Sequence, residues 1–218
     1  MTVRVLVTGA GGPAGVAVIR SLLRRSDVEV LAADMDGWAS GLYLVPAASR
    51  LLVPAGRADD FVDRLAALVA EHAVDAVVPT VDVELLALVG QRDRVPAVIV
   101  AAADAALETS LDKWTLVQAC AETARVPSTR ILDADGVAEA WSFPVIVKPR
   151  RGAGSRGVAR IDDRAALEAL QLDEGIIIQE YLPGDEYSVD VVMGEDGRAI
   201  AAVPRLRARV DSGVAVAG

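Results

Sequence analysis

The chain opens on an apolar run, Val3 to Thr8, that ends in TGAGGPAG and gives way to a helical pattern from Val16 to Arg25. A near-continuous apolar run suits a strand buried on both faces, and a glycine turn (Gly9–Gly15) lets it pass at once into a helix. The alternation then recurs. Val28 to Ala33 reads as a strand ending at Asp34, and Arg50 to Pro54 as a short strand. Asp59 to His72 has helical spacing (Phe61, Leu65, Leu68, Val69), followed by strand at Asp75–Pro79, helix at Val83–Arg92 and strand at Ala97–Ala101. Strands alternating with helices through short loops predict an open parallel α/β layer over residues 1 to about 105.

After that the rhythm changes. Leu107 to Thr123 reads as one helix, and Ile131 opens a different pattern. Val145–Lys148, Val158–Ile161, Ile176–Tyr181 and Tyr187–Met193 read as strands, with one clear helix, Arg164–Leu170, among them. This predicts an α+β second domain with a mostly antiparallel sheet. The boundary is placed near residue 108, giving domains 1–108 and 109–218.

Composition narrows the function classes. The sequence of 218 residues is 53% hydrophobic and 24% charged, so it supports a buried core. Its formal net charge of −9 argues against nucleic acid as the main partner, because phosphate binding there needs a Lys/Arg excess. A single cysteine, Cys120, excludes an internal disulfide framework. No run approaches the ~20 apolar residues of a bilayer span, and the start lacks the charged n-region and apolar h-region of a signal peptide. The expectation is a cytoplasmic protein with no membrane partner.

Two glycine loops compete for a ligand. In the first, Gly9, Gly11 and Ala14 fit G-x-G-x-x-A between strand and helix, with Asp34 at the end of the next strand. That pattern can hold a dinucleotide pyrophosphate at a helix N-terminus, and it supports an NAD(P)-dependent oxidoreductase or epimerase as the alternative function. A tight βα turn also favours glycine for conformation alone, and nothing later in the chain completes a hydride-transfer site.

The second loop follows the apolar strand FPVIVK, which ends at Lys148. A lysine stem can lie along an apolar wall and leave its ammonium facing a cleft, while Pro149 keeps Lys148 extended. Gly152, Gly154 and Gly157 give a pliable backbone, Ser155 offers a hydroxyl, and Arg150, Arg151 and Arg156 add positive charge to an acidic chain. This is not a Walker P-loop, G-x-x-x-x-G-K-[ST]. An ordinary hairpin turn accounts for the glycines but not for three arginines. Lys113, at the start of a helix in SLDKWTL, taken alone reads as solvated. Gln179-Glu180-Tyr181-Leu182 stands at a strand end before Glu186, where a carbonyl and an amide can meet an adenine edge and a carboxylate can accept from ribose hydroxyls. A solvated acidic turn is the plainer reading.

Lys113, Lys148 with RRGAGSRGV, and QEYLPGDE together resemble the ATP-grasp superfamily, in particular the branch near the large chain of carbamoyl-phosphate synthase. The first layer, including PTVDVELLAL, resembles the pre-ATP-grasp domain that precedes it. The resemblance implies ATP as ligand. Lys113 and Lys148 would touch its phosphates and Gly152, Gly154, Ser155 and Gly157 would close over them. The Glu180 carbonyl and Leu182 amide would face adenine, and Glu186 the ribose. Asp82 and Glu84 would stand on the acceptor-substrate side, although a solvated helix start explains them equally well. The implied activity is carboxylate–amine (or thiol) ligation through an acylphosphate, with an unknown carboxylate partner. A homodimer is compatible with this reading. Magnesium is expected for such an enzyme, through acidic residues and an asparagine beyond the hinge. The sequence has no asparagine and ends at Gly218, so the metal ligands are expected to be absent, the ATP-grasp domain incomplete and the chain inactive by itself; a non-catalytic nucleotide-binding module is the further alternative.

Overall fold

The computed structural model of the chain describes residues 2–194, 196–211 and 214–217. They form two compact units, residues 1–111 and 112–218.

The first unit is built on β1 (Val3–Val7), β2 (Val28–Asp34), β3 (Arg50–Leu52), β4 (Ala76–Val78) and β5 (Val98–Ile99). All are parallel, in the order β3-β2-β1-β4-β5. Period-2 alternation sends Leu6 and Leu31 to one face and Val5, Val7, Val30 and Ala32 to the other. The first face is covered by α2 (Phe61–Glu71) and α3 (Asp82–Leu88), the second by α1 (Pro13–Leu22) and a 3-10 turn at Ser40–Leu44. Phe61, Leu65 and Ile19 are almost wholly buried, and each such side chain contributes about 1.5–3 kcal/mol. The strand order turns back at β1, so the crevice of this sheet opens beyond the carboxyl ends of β1 and β4.

Several boundaries differ from the sequence reading, three of them in the helices around the loops that matter most. Helix α1 begins at Pro13 rather than Val16, because a proline in the first turn is already set to helical φ and its missing N–H is no loss there. Helix α3 ends at Leu88 rather than Arg92. The single helix expected over Leu107–Thr123 is two, α4 (Asp104–Ser110) and α5 (Lys113–Cys120), split where Asp112 adopts extended backbone and caps α5.

The second unit carries an antiparallel sheet in the order β6-β9-β7-β8, from β6 (Thr129–Leu132), β7 (Val145–Pro149), β8 (Ala159–Ile161) and β9 (Asp173–Glu180). Leu132, Val145, Val147 and Ile178 pack on one face with Leu167 of α7 (Arg164–Glu168). The short β6 and α6 (Ala134–Ala138) carried no sequence signal that was read, yet Asp133 marks the helix start by accepting from the Gly136 amide at 2.7 Å. Next comes the hairpin β10 (Tyr187–Met193) and β11 (Ala199–Leu206), a separate two-stranded sheet. β12 (Arg209–Asp211) and β13 (Val214–Ala217) pair with each other. No helix among the described residues is long and apolar enough to cross a membrane.

Candidate functional site

The first glycine loop turns in on itself. The Gly11 amide donates to Asp34 Oδ2 at 2.8 Å, the Gly12 amide to the Gly9 carbonyl at 3.1 Å, and the Asp36 amide to Asp34 Oδ1 at 3.0 Å. The amides and the acidic residue that a dinucleotide would use are bonded to each other. Beside the loop lies an open cleft of ≈ 470 Å³ lined in part by Gly9, Gly11, Asp34, Trp38 and Val81. Glu84 is not part of a solvated helix start. It is 5% exposed, and its Oε2 accepts from the Thr8 hydroxyl at 2.6 Å. Burial pushes the carboxyl up to about 7, against the Thr8 hydrogen bond and with help from the Asp34 charge. Asp82 stays exposed.

In the second unit the charged groups converge on β7 and α5. Lys148 projects from the face of β7 opposite the Val145–Val147 core, and its Nζ donates to Gln179 Oε1 at 2.6 Å. Register explains the contact. Lys148 pairs with Ile177 and Ile146 with Gln179, so Lys148 and Gln179 are diagonal neighbours on one face. Gln179 Nε2 in turn donates to Thr129 Oγ1 at 2.9 Å, extending the polar row across three strands. Burial lowers the Lys148 pKa first, the Lys113 charge lowers it further, and Glu186 opposes both. Lys113 and Glu186 are thus the charges that bear on the Lys148 ammonium. Lys113 and Lys148 are the only two lysines of the sequence; every other basic side chain apart from His72 is arginine.

Lys113 opens α5. Its Nζ donates to the Gly152 carbonyl at 2.9 Å and approaches that of Arg150 at 3.4 Å, while its amide donates to the Arg150 carbonyl at 3.0 Å. Asp112, just before it, accepts from the Trp114 and Thr115 amides at 3.0 and 3.3 Å. The same carboxylate receives both Arg150 Nε (3.2 Å) and Arg150 Nη2 (2.8 Å). Burial acts to raise the Asp112 pKa, but the Arg150 hydrogen bond and charge and the two helix amides outweigh it and hold the carboxyl below its usual range. An open cleft of ≈ 420 Å³ runs along Asp112, Arg150, Arg151, Glu174 and Gly175.

From Arg151 the loop is mostly exposed, with Gly152, Gly154 and Gly157 at φ of +126°, +71° and +72°, and Ser155 itself at +54°. A side chain is costly at such angles, which is why the segment is glycine-rich. At the hinge, the Glu180 amide donates to the Ser128 carbonyl at 2.8 Å and its carboxylate accepts from the Ser128 amide at 3.0 Å. Leu182 is exposed, and Glu186 is an exposed carboxylate ion-paired with Arg207 at 2.9 Å. Among the described residues no three His, Cys, Asp or Glu side chains converge to hold a metal ion.

The family model of the ATP-grasp domain matches residues 110–215. This segment is an ATP-grasp domain. Among the similar proteins are D-alanine–D-alanine ligases. That of Marinomonas sp. is 37% identical over 65 residues, which is 28% of this chain and 20% of the ligase. That of Pediococcus pentosaceus is 29% identical over 103 residues, 45% of this chain and 29% of the ligase. In fold, the chain matches the L-amino acid ligase of Bacillus licheniformis with a TM-score of 0.71 at 16% identity, covering 96% of this chain and 52% of that one. It matches N5-carboxyaminoimidazole ribonucleotide synthetase of Thermotoga maritima with a TM-score of 0.67 at 17% identity, covering 93% and 53%. The corresponding Staphylococcus aureus synthetase, solved with ADP, also gives 0.67 at 16% identity, covering 91% and 53%. The chain thus spans about half the length of these solved structures and less than a third of the two ligases.

Sequence reasoning singled out Lys113, Lys148 and the loop, but it missed Asp112 as the link between α5 and the end of β7. The available signal was an Asp directly before a helical run, the ordinary mark of a helix N-cap.

Proposed function

We propose that this chain supplies the nucleotide-holding part of an ATP-dependent carboxylate–amine ligase. One observation supports this above the others: within the segment that matches the ATP-grasp domain, the only two lysines of an otherwise arginine-based chain stand at one glycine loop, Lys113 with its ammonium on the Gly152 carbonyl and Lys148 at the end of the strand that leads into it. The ammonium is a compact point charge suited to phosphate oxygens, whereas arginine serves planar forks. The similar proteins named as ligases of D-alanine and of L-amino acids favour an amine over a thiol as the second substrate. Placement near the carbamoyl-phosphate synthase branch rests on motif order alone.

In this reading Lys113, Lys148 and the amides from Gly152 to Gly157 hold the phosphates, with the Ser155 hydroxyl as a further donor. The Glu180 carbonyl and Leu182 amide meet the adenine edge, and Glu186 accepts from the ribose. Glu180 suits a backbone role, since its carboxylate is already engaged by Ser128. A carboxylate oxygen attacks the γ-phosphorus and the bond to the ADP oxygen breaks, releasing ADP. The amine nitrogen then attacks the acyl carbon, phosphate leaves, and the nitrogen loses a proton. The lysines act by positioning and by neutralising charge that builds on the phosphate oxygens.

Calorimetric titration with ATP and, separately, with NADPH tests the assignment. The chain should bind ATP, and Lys148→Ala should weaken it by about 10–150-fold, the cost of one hydrogen bond to a charged group. Binding of NADPH in place of ATP, or equal ATP affinity in the variant, would refute the assignment.

A further inference from the structure

Lys113 sits in the first turn of α5, where its positive charge meets the positive end of the helix dipole. Asp112 offsets this, but it does more than cap. Its side chain is 2% exposed and takes Nε and Nη2 of the Arg150 fork, and Arg151 Nε stands 3.5 Å from its Oδ2. Arg150 is held at its other atoms too. Its amide donates to the Gly175 carbonyl at 2.9 Å, its Nη1 to the Glu174 carbonyl at 3.3 Å, and its own carbonyl accepts from the Lys113 amide at 3.0 Å. One arginine therefore ties β9, the end of β7 and the start of α5 together. The proposed phosphate-binding lysines stand one on each of the last two elements.

We propose that Asp112 and Arg150 form a brace of positioning residues that sets the Lys113 ammonium, relative to Lys148, for the phosphate chain of the nucleotide. The inference rests on the ATP reading above and adds the residues that fix its geometry. Neither member touches the nucleotide. The bidentate fork resists rotation as a single contact does not, so the separation of the two lysines depends on this pair. The surplus is also of the right sign, because one buried carboxylate stands among Lys113, Arg150 and Arg151.

Asp112→Asn and Arg150→Gln separate bracing from folding. Asparagine caps a helix as well as aspartate, so Asp112→Asn keeps α5 capped while removing the charge that the fork grips. Calorimetry with ATP and with adenosine is the readout. Each variant should lose roughly tenfold in ATP affinity and keep its adenosine affinity, and the double variant should be no worse than the weaker single one. Arg150→Lys, which keeps the charge but not the fork, should bind ATP as poorly as Arg150→Gln and carries the same test should Asp112→Asn fail to fold. Full affinity in Arg150→Lys, equal losses for ATP and adenosine, or additive losses in the double variant would each overturn the brace while leaving the ATP site standing. A wild-type chain that binds no ATP removes the site and the brace together.

Discussion

Glu84→Gln isolates the energetic effect of one buried carboxyl. The group lies under the glycine turn, accepting from Thr8, with the Gly56 backbone packed so closely that an added Cβ there would stand 2.8 Å from the Glu84 amide. Burial, with Asp34 nearby, raises its pKa from 4.5 to about 7. The folded state therefore holds a proton that the unfolded state has already lost between those values. Stability must fall as pH rises from about 4.5 to 7 and then level off. A displacement of this size corresponds to about 3 kcal/mol once both states are ionised. Glutamine keeps an acceptor for Thr8 and cannot ionise, so the variant escapes the loss. Hydrogen exchange of peptides covering β1 and β4, corrected for intrinsic rates, reports the opening of the first unit at each pH. The variant should match wild type near pH 4.5 and exceed it by about 3 kcal/mol at pH 8. Other titrating groups are common to both proteins and cancel in the difference. A difference that stays constant from pH 4.5 to 8 would refute the buried-carboxyl argument.

Three further substitutions test packing and the polar row. In Gly41→Ala the new Cβ would stand 2.0 Å from the Ala10 carbonyl oxygen; overpacking of this kind should cost about 3 kcal/mol, and an unchanged thermal midpoint would contradict it. Ile178→Ala empties a fully buried position in the second unit, with an expected loss of about 2–5 kcal/mol in urea titration. Thr129→Val leaves Gln179 Nε2 without its acceptor and should destabilise by about 1–3 kcal/mol; the same melting behaviour as wild type would show that the row across β6, β9 and β7 carries no strain-free energy of its own.

What was legible in the sequence was what depends on neighbours along the chain. The sequence predicts Tyr187–Met193 with the bounds it has in the structure, because Tyr187, Val189 and Val191 alternate with Ser188 and Asp190 and glycine-bearing turns flank the run. The helix expected over Leu107–Thr123 was misread because Leu107, Leu111 and Leu116 keep an apolar spacing straight across the break at Asp112. At the site, Lys113, Lys148 and the glycine loop declare themselves by residue type. The Asp112–Arg150 pair does not, since Asp112 reads locally as a helix N-cap and nothing more, and its partner lies 38 residues away. Glu84 was equally opaque. An acidic residue in a first helical turn looks solvated, and only the packing of Thr8, 76 residues away, and of Gly56 makes it buried.

The strand order β6-β9-β7-β8 bears on how the chain is made as well as on what it holds. β9 lies between β6 and β7, so neither has its central partner until residue 180 is available, and Thr129 meets Gln179 across 50 residues of chain. At ~5–20 residues per second of synthesis, β6 waits roughly 3–10 s for that partner. During that interval VIVKP can pair with β8 along one edge, while the edge that β9 will take stays open. Lys148 on the face opposite the core, and Arg150 and Arg151 after it, put charge beside that open edge, the pattern of charged gatekeepers flanking an apolar strand. The order of the strands thus sets a consequence for synthesis that is separate from any ligand.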